Sequence, residues 1–164
     1  MSVPMRLGLV MLAALLVQLT VFVDVRFFGV APELLSLVAV VGAFLIGSER
    51  GPVLAFIAGL IWDVYLPTPL GVTAITLALV AYAVATLNEG LFRDSRSQLA
   101  MVVFLASGGA VLGYALLGGI MGSPELLRID MFRIAVIVGV VNAVLTPLAA
   151  PVMAWALGGE GAVR

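Results

Sequence analysis

The sequence contains no cysteine, no histidine and no lysine. Without cysteine there is no thiolate nucleophile and no disulfide, and without histidine the usual zinc and haem ligation and the Ser–His relay are also excluded. The missing lysine removes Schiff-base catalysis and a Ser–Lys dyad. Charge of either sign is scarce: 8 cationic residues, all arginine, stand against 9 acids, 10% of 164 residues, where a soluble domain carries about a quarter. The arginines are scattered, and nucleic acid, which needs a basic stripe, is not an expected partner. No cofactor is implied by any motif, and neither an internal repeat nor a low-complexity linker divides the chain.

What is abundant is apolar surface. Hydrophobic residues make up 63% of the chain, which assigns it to the bilayer class. The fold class read from this is all-α: one polytopic membrane domain over residues 1–164, a bundle of about six transmembrane helices. The apolar runs cover 5–23, 32–47, 52–66, 72–87, 98–121 and 134–157. The first is long enough to span, and no A-x-A-like site closes it as a signal peptide would be closed. The second, from Pro32 to Gly47, has proline suited to a first helical position and glycine to a stop. The third opens at Pro52 and reaches Leu66 if the helix passes through Asp63. Both are short, so each is either one arm of a tight hairpin sheltered by longer neighbours, the preferred reading, or re-entrant. Between the last two runs, Gly122 to Arg133 alternates charges with Leu126, Leu127, Ile129 and Phe132, a pattern suited to a short helix in the interface plane. Arg6, Arg50, Arg93, Arg96 and Arg164 fall on one side of a six-span chain and Arg26, Arg128 and Arg133 on the other, which favours cytoplasmic termini.

Lipid tails are as apolar as leucine, so helices in a bilayer associate largely by close approach of small residues and by hydrogen bonds. Gly51, Ala55, Gly59 and Asp63 recur every fourth position and form one stripe along the third helix. The fifth helix offers Gly109 with Gly113, and Gly118 with Gly122, as two further seams. Asn142, in the middle of the sixth run, reads as packing glue, with Thr146 and the bends expected at Pro147 and Pro151 beyond it. Gln18 and Tyr82 read as helix–helix hydrogen-bonding residues, and Trp62, Tyr65, Phe92 and Trp155 as interfacial aromatics.

The stretch Gly59-Leu-Ile-Trp-Asp-Val-Tyr-Leu-Pro-Thr-Pro-Leu-Gly71 spends an ionisable group in this setting. An aspartate in hydrocarbon costs a few kcal/mol on insertion scales and points to a function with a partner. Asp63 stands near a helix end, because Pro67 and Pro69 prevent a regular helix from continuing. From there its carboxylate can accept bonds from the backbone N–H groups that open the fourth helix, where the dipole favours an anion. A proton relay or a catalytic dyad needs a second membrane carboxylate, and the remaining acids are read as connector residues.

These residues resemble the rod shape-determining MreD family: Gly59, Asp63 one turn later, the loop ending Pro69-Leu70-Gly71, Ala74 and then Tyr82. The motif covers about two dozen residues, while length and span number match over nearly the whole chain. The resemblance implies a non-enzymatic scaffold of the bacterial cell-wall elongation complex in the cytoplasmic membrane. Its implied partners are membrane lipids, the bitopic protein MreC and, through it, MreB, RodA and RodA's partner transpeptidase. It further implies a fold similar to the substrate-capture subunits of energy-coupling-factor transporters. The scaffold would receive a partner helix in a small-residue groove of its third, fifth or sixth helix. A different class, a small-molecule or lipid-precursor capture subunit, requires polar groups converging on one cavity, with Asp63, Tyr65, Tyr82 and Asn142 as candidates.

Overall fold

A computed structural model describes residues 2–22, 24–67, 69–91, 96–126 and 130–159. The described residues form six α-helices: α1 (Val3–Thr20), α2 (Leu34–Ile46), α3 (Gly51–Asp63), α4 (Val72–Leu91), α5 (Arg96–Ile120) and α6 (Asp130–Ala156). No strand occurs among them. Three helices, α1, α5 and α6, are long and apolar enough to cross a membrane.

The central element is one of the shortest. All of α2 from Leu35 to Phe44 is buried, as expected of a helix that is apolar on every side. It packs against each of the other five helices. Its 13 residues reach only about 20 Å, against about 30 Å of hydrocarbon. Asn142, the thirteenth of 27 residues in α6, bonds the carbonyl of Glu33. The central helix therefore begins level with the middle of its longest neighbour and descends to one end of the bundle. There Gly47, in the left-handed region at φ 91°, turns the chain into α3.

α3 climbs back against α2 and α4. A Cβ at Gly51 would lie 2.8 Å from Ala43 Cα, and one at Gly59 only 2.5 Å from Ala74 Cα. With Ala55 wholly buried between them, the stripe from Gly51 to Asp63 is filled on both flanks by this chain's own helices. α5 meets α6 through different glycines from those expected: a Cβ at Gly139 would stand 2.7 Å from the carbonyl oxygen of Phe104, and one at Gly108 would stand 3.2 Å from that of Ala135.

Several expected boundaries change. α3 ends at Asp63 rather than Leu66, since the helical ladder gives way to turns at Val64. α4 continues past 87 to Leu91, and α6 starts at Asp130 rather than 134. Pro32 precedes α2 instead of opening it, and Glu33 holds the N-cap. The segment from Gly122 to Arg133 is not one interfacial helix. It holds a 3-10 turn at Pro124–Leu126, and Phe132 already belongs to the start of α6. Leu127, Arg128 and Ile129 lie outside the described residues, as do Phe92, Arg93, Asp94 and Arg164. The helix α6 runs through both Pro147 and Pro151.

Candidate functional site

Three helices, the short α2 and α3 and the longer α4, with an end inside an apolar bundle create a problem of backbone polarity. The first N–H groups of a helix have no partner within it, and no water is at hand in a bilayer core. The chain solves this with polar side chains sent from neighbouring helices.

At the Asp63 end, α3 delivers the carboxylate to the first turn of α4. Asp63 is 1% exposed. Its Oδ2 accepts from the amides of Gly71 at 2.8 Å and Ala74 at 3.2 Å, and its Oδ1 from that of Thr73 at 3.1 Å. This is an N-cap supplied by another helix, with charge-assisted bonds at the positive end of a helix dipole. Two glycines make the geometry attainable. Gly59, one turn before Asp63, has no side chain to keep α3 away from Ala74. Gly71 takes φ +102°, a conformation costly for any residue with a Cβ, and so turns its amide to the carboxylate. Pro67, Pro69 and Leu70, between the two helices, are exposed.

Residues 2–153 match a family described as rod shape-determining protein MreD. The chain belongs to the MreD family. Membership implies a role in rod shape determination, and with three long apolar helices it makes this a membrane protein. No curated protein and no solved structure matches the chain.

In this MreD-family chain the same device recurs at α2. The N-cap residue Glu33 makes no side-chain cap bond. Gln18 of α1 supplies it, with Oε1 accepting from the amides of Leu34 at 2.7 Å and Leu35 at 3.4 Å. Asn142 of α6 completes the junction: its Nδ2 reaches the Glu33 carbonyl at 3.3 Å, Ser36 Oγ at 3.2 Å and Ser107 Oγ at 3.0 Å, joining α2, α5 and α6 in one layer. The backbone carbonyl of Asn142 accepts from the Thr146 hydroxyl at 2.9 Å. At the opposite end, Asn88 Nδ2 donates to the Phe44 carbonyl in the last turn of α2. Arg6 of α1 donates to the Trp155 carbonyl at the end of α6 and lies 5.4 Å from that indole ring, a cation at a C-terminal dipole. Trp62 and Tyr65 have ring centroids 6.5 Å apart beside the α3 terminus.

The structure separates other residues that sequence brought together. Tyr82 does not bond another helix: its side chain is 57% exposed, on the outer face of α4, with no hydrogen-bond partner among the described residues. Gly109 and Gly113 do not form one seam. Nothing lies within 4 Å of a Cβ built on Gly109, whereas one on Gly113 would meet Thr76 of α4. Gly118 packs on Leu126, and Gly122 serves a left-handed turn at φ +107°. Asp63 and the Asn142 amide nitrogen are engaged in different junctions, and Tyr65 and Tyr82 are exposed, so the four polar candidates do not converge on a common cavity.

Glu33 is the residue that the sequence reading passed over. It is the second residue of the second apolar run and belongs to the bundle rather than to a connector. The signal was available: an acid within an apolar run marks a position worth explaining, whether or not it lies near the run's end.

Proposed function

We propose that this protein is a non-catalytic scaffold of the bacterial cell-wall elongation complex, multi-pass in the cytoplasmic membrane with both termini inside, which receives the transmembrane helix of an MreC-like bitopic partner. Through that partner it joins RodA, the transpeptidase paired with RodA and, indirectly, MreB. The observation that carries this reading is the family match across residues 2–153. The geometry supports it from another side. Asp63, the acid that chemistry in this membrane would most naturally use, is fully engaged in holding three amides. The arginine bias supports the orientation.

The partner helix has to find its close approach outside the α3 stripe, which α2 and α4 already fill. Gly109 offers one on the outward face of α5, between the exposed Leu105 and Leu112, where no atom of this chain occupies the space of a missing Cβ. Elsewhere membrane lipids cover the apolar exterior. The test is affinity purification from native membranes with mass-spectrometric identification of partners. An MreC-like bitopic protein is expected, and Gly109→Leu is expected to lower its capture at unchanged scaffold abundance. Absence of any such partner overturns the scaffold reading; undiminished capture by the variant overturns the Gly109 surface.

A further inference from the structure

A small cavity of about 110 Å³ lies where three helix ends meet α5. Glu33 at the start of α2, Trp62 near the end of α3, Thr73 and Thr76 in the first turns of α4, and Tyr114 of α5 line it, with Leu77, Ala110 and Val111 among its apolar walls. Its size excludes a vitamin-sized ligand, which takes roughly 300–1,000 Å³. It suits a group of a few heavy atoms. Two features single it out from a packing defect. Thr73 is 8% exposed and its Oγ1 is buried without a hydrogen-bond partner among the described residues, a state that costs about 1–3 kcal/mol unless a ligand or water supplies one. Glu33 is only partly covered, although it belongs to the interior layer of Gln18 and Asn142.

The sign of the ligand follows from the charges. Two helix N-termini point at the junction, each worth about half a positive charge, and the C-terminus of α3 brings about half a negative one. Asp63 offsets that of α4 and more. With Glu33 as a carboxylate the junction carries roughly one and a half net negative charges, which burial disfavours unless a cation is bound beside it. An anion is therefore repelled. A hydrated metal ion is poorly served by one carboxylate between leucine, valine and alanine walls. A primary ammonium on a short carbon chain fits better: its three N–H groups can meet the Glu33 carboxylate and the Thr73 and Thr76 oxygens, its carbons the apolar walls, and its charge the indole of Trp62.

We infer that the cavity between Glu33, Thr73 and Trp62 is a binding site for a primary alkylammonium group, such as the ethanolamine head of a phospholipid or a free small amine. The site is independent of whether a partner helix docks on α5. Trp62 and Trp155 are the two tryptophans of the chain, so Trp155→Phe leaves Trp62 as a single reporter in the cavity wall. The full chain with that change, in phosphatidylglycerol nanodiscs, is titrated with ethylammonium chloride against sodium chloride at matched ionic strength. A saturable change in Trp62 emission is expected from ethylammonium alone. Glu33→Gln and Ala110→Leu are each expected to weaken it at least about tenfold, the second by filling the cavity while leaving the carboxylate in place. Circular dichroism and gel filtration identify variants that fold, and either folded variant suffices. In phosphatidylethanolamine nanodiscs, a shift of the titration to higher concentration identifies a lipid headgroup as occupant, and an unchanged curve identifies a free amine. No saturable change, an equal response to sodium, or undiminished binding in the folded variants overturns the assignment.

Discussion

Asparagine at position 63 keeps the shape of the aspartate while removing its charge and one of its two acceptor atoms. In the native chain Oδ2 serves Gly71 and Ala74, and Oδ1 serves Thr73. An amide can keep its oxygen at the Oδ2 position, but its NH2 then faces the N–H of Thr73, donor against donor. One charge-assisted bond is lost outright, worth about 1.5–3 kcal/mol, and the other two fall to neutral strength. Asp63→Asn is therefore expected to cost about 2–4 kcal/mol. Asp63→Ala leaves three amides at the start of α4 facing an emptied, buried site and is expected to cost about 3–5 kcal/mol, since a buried donor without an acceptor costs about 1–3 kcal/mol and the three share one site that can partly relax. Unfolding of the detergent-solubilised protein by sodium dodecyl sulfate, followed through tryptophan emission, gives the difference between variants. Values within about 0.5 kcal/mol of the native chain for both substitutions, the range of an uninvolved surface position, would refute the reasoning.

Three further substitutions separate packed from open positions by the same assay. Gly59→Ala puts a methyl 2.5 Å from Ala74 Cα and is expected to cost about 1–3 kcal/mol by overpacking, whereas Gly109→Ala, with open space beside it, is expected to be neutral or slightly stabilising. Asn142→Leu takes the donor from the buried Ser107 hydroxyl, while the Glu33 carbonyl keeps the Leu37 amide and the Ser36 hydroxyl, and is expected to destabilise by about 1–3 kcal/mol. Tyr82→Phe removes a hydroxyl that faces outward and is expected to leave stability unchanged within about 0.5 kcal/mol, so that any loss of function in this variant would report on a contact outside the chain.

Much of the architecture was legible because the bilayer imposes it. Apolar run lengths alone give six helices, and proline after Asp63 gives the end of α3 to within a few residues. The cap was readable as well, since Asp63 beside a proline-broken helix end suits an acceptor for the amides opening α4, whereas the positive φ of Gly71 came with the structure. Seams were harder. Spacing of four puts Gly109 and Gly113 near each other along α5 without saying which faces a neighbour, and the neighbours meet Gly108 and Gly139 instead. Tyr82 and Gln18 look alike as single polar groups within spans, yet Gln18 caps α2 while Tyr82 faces out. The difference lies in rotation about each helix axis, which chains this uniformly apolar do not encode in their periodicity. Glu33 was hidden for another reason: its depth depends on α2 beginning halfway along α6, a consequence of packing rather than composition.

Site-resolved amide hydrogen exchange tests most directly whether polar residues on one helix cap the buried ends of another. The amides of Leu34, Leu35, Gly71, Thr73 and Ala74 precede or open helices and have no partner in their own ladder, so only Gln18 and Asp63 can protect them. All five are expected to exchange slowly in the native protein; Asp63→Ala should release Gly71, Thr73 and Ala74 alone, and Gln18→Ala only Leu34 and Leu35. Fast exchange of all five in the native chain, or protection indifferent to both substitutions, would contradict the account.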